Sequence, residues 1–78
     1  MAVSKKKFID IFVCNLKKIM DEKNISVNDL AKKSNLNSST IYKYLNKDRM
    51  PGTIQVLNLS LSLGCKFSDL IPVNDYIK

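Results

Sequence analysis

The chain has 78 residues, with 13 Lys and Arg against 7 Asp and Glu, no His, and a formal net charge of +6. This length gives room for one domain with a small core. A chain without His has no imidazole base, no His metal ligand and no Ser-His-Asp triad. Cys14 and Cys65 alone make neither a tetrahedral zinc site nor a disulfide framework. We therefore predict a protein that is not an enzyme, with no cofactor, no metal and no small-molecule substrate.

The N-terminal segment is charged, but it does not read as a targeting signal. The apolar stretch Phe8–Val13 is interrupted at Asp10, and Asn15 follows with no small-residue cleavage site. It is also far shorter than the roughly 18–20 residues of a membrane span. We expect no signal peptide, no membrane partner and a cytoplasmic location. The basic balance favours nucleic acid as the partner, and the run Lys5–Lys7 is either an arm along a phosphate backbone or a solvated terminus.

A first helix is predicted from about Lys5 to Lys23, because apolar residues recur there at spacings of three and four. Cys14 falls on the opposite, exposed face of this helix. Asn24 follows it and tolerates the left-handed conformation that ends many helices. The predicted buried face consists of Ile9, Phe12, Val13, Leu16, Ile19 and Met20.

A second, short helix is predicted from about Val27 to Ser34. Ser26 and Asp29 have the spacing of a capping box at its start. Leu30 and Ala31 are expected to face inward. The residues that follow, Asn35 and Leu36, suit a tight turn in which the asparagine is left-handed and the leucine is buried.

A third helix is predicted from Ser38 to about Asn46, with Asn37 as its N-cap. Ile41, Tyr44 and Leu45 form its inward face. The outer face is then left to polar side chains: Ser38, Ser39, Tyr42, Lys43 and Asn46.

After a polar loop, a fourth helix is predicted from about Thr53 to Leu63, ending at Gly64. It is apolar over more than one face, which favours a central place in the core. A short fifth helix near Phe67–Ile71 precedes Pro72. No segment alternates with a period of two, so we predict an all-α, compact five-helix fold in a single domain, 1–78, whose flexible ends are 1–4 and 73–78.

The stretch 27–46 meets the steric requirements of a helix-turn-helix. Ala31 is small where the two helices cross, and Asn35 accepts positive φ. Over roughly Phe12–Ile71 the sequence resembles the Cro-type, or XRE, helix-turn-helix regulators, the lambda repressor-like DNA-binding domains. The segments that carry the resemblance are Leu16-Lys17-Lys18-Ile19, Asn24-Ile25-Ser26, Asp29-Leu30-Ala31-Lys32-Lys33, Leu36-Asn37-Ser38-Ser39-Thr40-Ile41, Pro51, Leu63-Gly64 and Ser68-Asp69-Leu70-Ile71.

The resemblance implies a sequence-specific regulator of transcription that binds double-stranded DNA, a repressor acting as a homodimer on a pseudo-palindromic operator. It implies that bases are read by Ser38, Ser39, Tyr42 and Lys43. It implies that phosphates are held by Asn28, Asn46, Lys47 and Arg49. Dimer contacts are assigned to the apolar tail, at Val73, Tyr76 and Ile77, for which packing onto the tail's own domain is the alternative.

Two departures from the family pattern bear on function. Val27 stands where relatives often carry Gln, and its side chain cannot make the hydrogen bond to a phosphate or base that Gln makes. Met20 and Leu45 stand where many relatives pair Arg with Glu, so we predict an apolar clamp between the first and third helices. Two other functions stay open: an antitoxin that binds an operator and a toxin, and a protein-interaction adaptor that has lost DNA binding.

Overall fold

The computed structural model describes residues 3–72, and that range folds into five helices without strands. The predicted all-α class and the number and order of the helices are confirmed. The third and fifth helices end one residue earlier than predicted, and Val73, Tyr76 and Ile77 lie outside the described residues. The helices are α1 (Lys5–Lys23), α2 (Val27–Ser34), α3 (Ser38–Leu45), α4 (Thr53–Leu63) and α5 (Phe67–Leu70).

The turns between the helices follow from local chemistry. The Ser26 hydroxyl accepts the N–H of Asp29 at 3.1 Å, so the serine half of the predicted capping box is formed. Asn24 and Asn35 adopt left-handed conformations with φ of 54° and 57°, as predicted. Gly64, at φ 68°, ends α4 in the same way.

The core is one cluster of buried side chains to which all five helices contribute. All six residues of the predicted α1 face are buried, whereas Cys14 is exposed. The ring of Phe12 meets Tyr44 of α3 edge-on at 6.3 Å between centroids and stacks on Phe8 at 6.5 Å. Leu59 of α4 and Leu70 of α5 complete the same cluster.

The contacts among helices leave α3 with a free outer side. The helix α2 packs against both α3 and α4, while α5 packs against α4 and α1. A polar tie helps to hold α5, because the Asn15 side chain donates to the Leu70 carbonyl at 3.3 Å. No helix within residues 3–72 is long and apolar enough to cross a membrane.

The prediction that α4 is surrounded by the core is wrong. Only one face of this helix is buried, through Val56, Leu59, Ser60 and Leu63. On the opposite face, the solvent-exposed fraction is 70% for Ile54, 45% for Leu57 and 71% for Leu61.

Two smaller predictions of burial are also corrected. Leu36 and Leu45 were expected inside, and each is half-buried against the edge of the core. Leu36 lies in the α2–α3 turn, and such connections run over the protein surface. Leu45 is the last residue of α3, where the helix leaves the core.

Candidate nucleic-acid interface

The outer face of α3 presents one continuous row of polar side chains. Ser39, Tyr42, Lys43 and Asn46 are spaced three, four and seven residues apart, and all four are exposed. At 3.6 residues per turn they fall within roughly 100° of the helix circumference. We call these four residues the α3 row. It includes three of the four predicted base readers, together with Asn46, which was predicted to hold phosphate.

The inner face of the same helix fixes the direction of this row. Ile41 is fully buried, and Tyr44 is 2% exposed in the core, whereas Tyr42 is 52% exposed. Neighbouring tyrosines of one helix therefore have opposite roles, one in packing and one at the surface. Because α3 is anchored through its inner face, its outer side chains are held in a defined orientation.

Ser38, the fourth predicted base reader, lies outside the row. It is half-buried, and its hydroxyl donates to the Asn28 side-chain oxygen at 3.0 Å. This bond joins the start of α2 to the start of α3. Since the oxygen of Asn28 accepts from Ser38, the amide N–H group of Asn28 is the part that can donate to a phosphate.

A shallow depression of about 390 Å³ lies beside this bond, between α2 and the start of α3. Asn28, Lys32 and Ser38 line it, and Lys32 supplies a positive charge. Asn37 is the N-cap residue of α3, but its side chain accepts no hydrogen bond from the backbone N–H groups in the first turn of that helix. Helix-start N–H groups and a cation together suit an anion such as phosphate.

The loop after α3 begins with a turn that the sequence did not predict. Lys47 has a φ of 63°, a left-handed conformation that disfavours side chains other than Gly and Asn. Its N–H donates to the Tyr44 carbonyl at 3.0 Å, and the N–H of Asp48 donates to the Lys43 carbonyl at 2.8 Å. This pair of bonds is the Schellman arrangement that closes a helix end.

The side chain of Lys47 is paired with an acid of α1. Its ammonium lies 2.8 Å from a carboxylate oxygen of Asp10, and both side chains are nearly half exposed. The hydrogen bond from Lys47 lowers the pKa of Asp10 below its ordinary value, with desolvation opposing that shift. An exposed pair of this kind is weak, so a phosphate can compete for the lysine. Arg49 lies exposed in the same loop.

The residues that depart from the family pattern pack in or against the core. Val27 is half-buried against the core, so it contributes apolar contact at the start of α2. Met20 is buried and Leu45 packs against the same cluster, on the two helices predicted to be clamped together. A direct Met20–Leu45 contact stays a prediction.

Asp10 is the residue of this region that sequence reasoning missed. It is separated by 37 positions from its partner Lys47, and no local pattern signals a contact over that distance. Nothing in the sequence marked Lys47 as left-handed either, since the preceding Asn46 is the better candidate for that conformation.

The cysteines and acids form no metal site in the part of the chain that the structure describes, where no cluster of three or more ligating side chains occurs. Both cysteines are free. Burial raises the pKa of the Cys65 thiol, and the nearby charge of Asp69 acts in the same direction.

The family assignment rests on a match that covers most of the chain. A family model described as the Cro/C1-type HTH DNA-binding domain matches residues 15–75. The match includes all of α2, α3, α4 and α5, and with them the α3 row. Comparisons with curated proteins and with solved structures returned no match. The chain belongs to the Cro/C1-type helix-turn-helix DNA-binding domains.

Proposed function

We propose that this protein is a transcriptional repressor that binds a specific double-stranded DNA sequence, with α3 lying in the major groove. The observation that carries the proposal is the α3 row, Ser39, Tyr42, Lys43 and Asn46. These side chains are adjacent and exposed on a helix whose opposite face is anchored in the core. In a helix-turn-helix domain, this is the helix side that meets base edges.

The residue types of the row support reading of bases. The Lys43 ammonium can donate to O6 and N7 of guanine, and the Ser39 hydroxyl can bond to several bases. Asn46 has the paired donor and acceptor that match adenine, and it is also placed to donate to a phosphate. Tyr42 offers a ring for apolar contact and a hydroxyl for a hydrogen bond.

Residues around the row support contact with phosphates. Asn28 is bonded to Ser38 at the start of α3, and Arg49 lies exposed in the loop that follows the helix. Lys47 joins this group when it leaves Asp10. Between Lys32 and Arg49 the chain has five basic residues and one acid, Asp48. Affinity should therefore fall steeply with salt, as counterions are released from the DNA.

Repression would follow from occupancy. A dimer places two α3 helices in successive major grooves about 34 Å apart, on a pseudo-palindromic operator. A promoter covered in this way is closed to polymerase. Nothing in this mechanism needs a reaction or a cofactor.

Selection of binding sites from a random duplex library, at near-physiological salt, tests the proposal. Wild type is compared with a Ser39→Ala, Lys43→Ala variant. A Ser68→Ala, Lys18→Ala variant is the matched control, because it makes the same chemical changes at exposed positions of α5 and α1. We expect wild type and the control to enrich one two-fold symmetric site, and the α3 variant to lose or alter that enrichment. If wild type retains all sequences alike in a salt-sensitive way and enriches none, the proposal is contradicted.

A further inference from the structure

The ion pair between Lys47 and Asp10 ties the loop after α3 to the first helix. The Lys47 ammonium lies 2.8 Å from a carboxylate oxygen of Asp10. Asp10 lies in the second turn of α1, and Lys47 follows the end of α3 by two residues. In the free protein the carboxylate therefore binds a cation that the proposed function assigns to a phosphate of DNA.

The backbone at Lys47 indicates that its side chain has a role of its own. Residues 3–72 contain four left-handed positions, and three of them are occupied by Asn24, Asn35 and Gly64, the types that adopt this conformation most easily. Lys47, at φ 63°, is the exception. Residues held in such sparsely populated conformations cluster at functional sites. An exposed ion pair contributes little to stability, so the pair with Asp10 does not by itself account for a lysine here.

Positive charge reaches Asp10 from two elements. The hydrogen bond from Lys47 lowers the pKa of Asp10, and the charge of Lys6, one turn earlier on α1, acts in the same direction. Asp10 is therefore a carboxylate at neutral pH. A phosphate that approaches Lys47 meets this second anion, and two anions beside one ammonium repel each other. The phosphate can take the lysine only if the carboxylate gives it up.

We propose that Asp10 competes with DNA phosphates for Lys47, and so lowers the affinity of this protein for every duplex. The inference rests on the proposed function, because it takes DNA as the ligand of Lys47. Asp10 is a positioning residue in this scheme, since it acts on DNA only through the lysine. Phosphates carry no direct sequence information, so the preference among sequences is unaffected. In a chain with a net charge of +6, this competition limits retention on DNA of any sequence.

Anisotropy titrations of the full chain with two labelled duplexes of equal length test the inference. One duplex contains one half of the selected site, and the other has a random sequence. The test variant is Asp10→Asn, which keeps the shape of the side chain and removes its charge. The control is Asp21→Asn, the same change at an exposed position of α1 that lies about 16 Å further along the helix. Salt is kept near 50 mM, because exposed charges are screened less there than at physiological salt.

We expect Asp10→Asn to tighten binding of both duplexes by about 2- to 5-fold, the range in which exposed ion pairs shift an equilibrium. Asp21→Asn should tighten it by less than about 1.5-fold, since that charge is more than a Debye length away. A role of Asp10 in the fold alone predicts the opposite sign, because a variant that disturbs the placement of α3 binds DNA more weakly. Melting by circular dichroism measures the small loss of stability separately.

A second background shows whether Asp10 acts through Lys47. Lys47→Gln removes the ammonium and keeps a long polar side chain in the turn. In this background Asp10→Asn should have no more effect than Asp21→Asn, because the cation for which the carboxylate competes is gone.

Three outcomes overturn the inference. The first is an Asp10→Asn variant that binds like the Asp21→Asn control. The second is weaker binding, which would make the carboxylate a group that directs Lys47 towards DNA. The third is an undiminished effect in the Lys47→Gln background, which would show that Asp10 repels the duplex directly.

Failure of this inference differs in readout from failure of the proposed function. If the library selection enriches no site, the repressor is lost, and the random duplex still tests Asp10 because phosphates alone are contacted there. If a site is enriched and Asp10→Asn binds it like the control, the proposed function is retained and the competition is lost.

Discussion

The helices α3 and α4 are built alike on their inner sides and differently on their outer sides. Each buries a stripe of large side chains in the shared core, with Tyr44 in one and Leu59 in the other. The outer side of α3 carries hydroxyl, amide and ammonium groups, whereas that of α4 carries Ile54, Leu57 and Leu61. The inner sides stabilise the fold. What each helix can bind therefore depends on its outer side.

That contrast suits the two outer sides to partners of different chemistry. Polar and cationic groups on a fixed helix suit the base edges and phosphates of a duplex. An uncharged apolar row suits another apolar surface from which water is released on contact. The outer faces of both helices are exposed, and α2 packs against both helices.

The largest expected effect separates the two faces of α3 itself. Tyr44→Ala should lower the free energy of unfolding by about 3–5 kcal/mol, because it empties the place of a buried ring beside Phe12. Tyr42→Ala should change it by less than about 0.5 kcal/mol and weaken DNA binding instead. Urea titration of both variants measures the difference. Equal destabilisation would break the division between an inner and an outer face.

The attachment of α3 to α1 gives the next largest effect. Met20→Arg should lower the free energy of unfolding by about 2–4 kcal/mol, because it buries a charge without a partner. Adding Leu45→Glu should recover part of this loss if the two positions touch, by forming the ion pair of many relatives. Cys14→Arg, on the exposed face of α1, is the control. A melting temperature unchanged by Met20→Arg would contradict the predicted apolar clamp between α1 and α3.

The outer side of α3 can be divided further by comparing Lys43 with Arg49. Lys43→Ala should weaken binding of the selected site by about 1–3 kcal/mol, roughly 5- to 150-fold, and relax the preference at one base pair. Arg49→Ala should weaken all sequences alike and reduce the slope of log affinity against log salt by about 1. Competition titrations at several salt concentrations measure both. Identical behaviour of the two variants contradicts separate base and phosphate contacts.

The smallest effects belong to the turn between α3 and α4. Lys47→Gly should relieve left-handed strain of about 1 kcal/mol and leave a net gain in stability after loss of the Asp10 pair.

Asp10→Asn removes the pair alone, with a small loss of stability. Because the pKa of Asp10 is lowered from 3.8 by folding, that loss is present above pH 3.8 and disappears as pH falls through the lower folded pKa. Urea titrations of wild type and both variants across this pH range would show it, and a loss that persists in acid contradicts this role of the pair.

The fold was predictable because its signals are local. The apolar spacing in α1 identified all six buried residues, and Asn24 and Asn35 supplied the left-handed turns at the predicted positions. The apolar pattern of α4 was ambiguous, since a helix that is apolar on two faces is either buried or partnered. Only the positions of α1, α2 and α5 show that one of its faces is left exposed.

The candidate site was predictable in part. The spacing of Ser39, Tyr42 and Lys43 places them on one face of any helix that starts near Ser38. Their joining with Asn46 follows from the same geometry, although the sequence assigned that residue to phosphate. The Ser38–Asn28 bond and the Lys47–Asp10 pair join separate helices, so no local pattern contains them.

An amide NMR titration of the protein with a duplex that contains one half of the selected site would show directly which helix contacts DNA. We expect the largest shifts at the amides of Ser39, Tyr42, Lys43 and Asn46, with smaller shifts at Asn28 and Arg49, whereas the amides of Ile54, Leu57 and Leu61 should not shift. Shifts centred on α4, with the α3 row unaffected, would contradict the proposed contact of α3 with DNA.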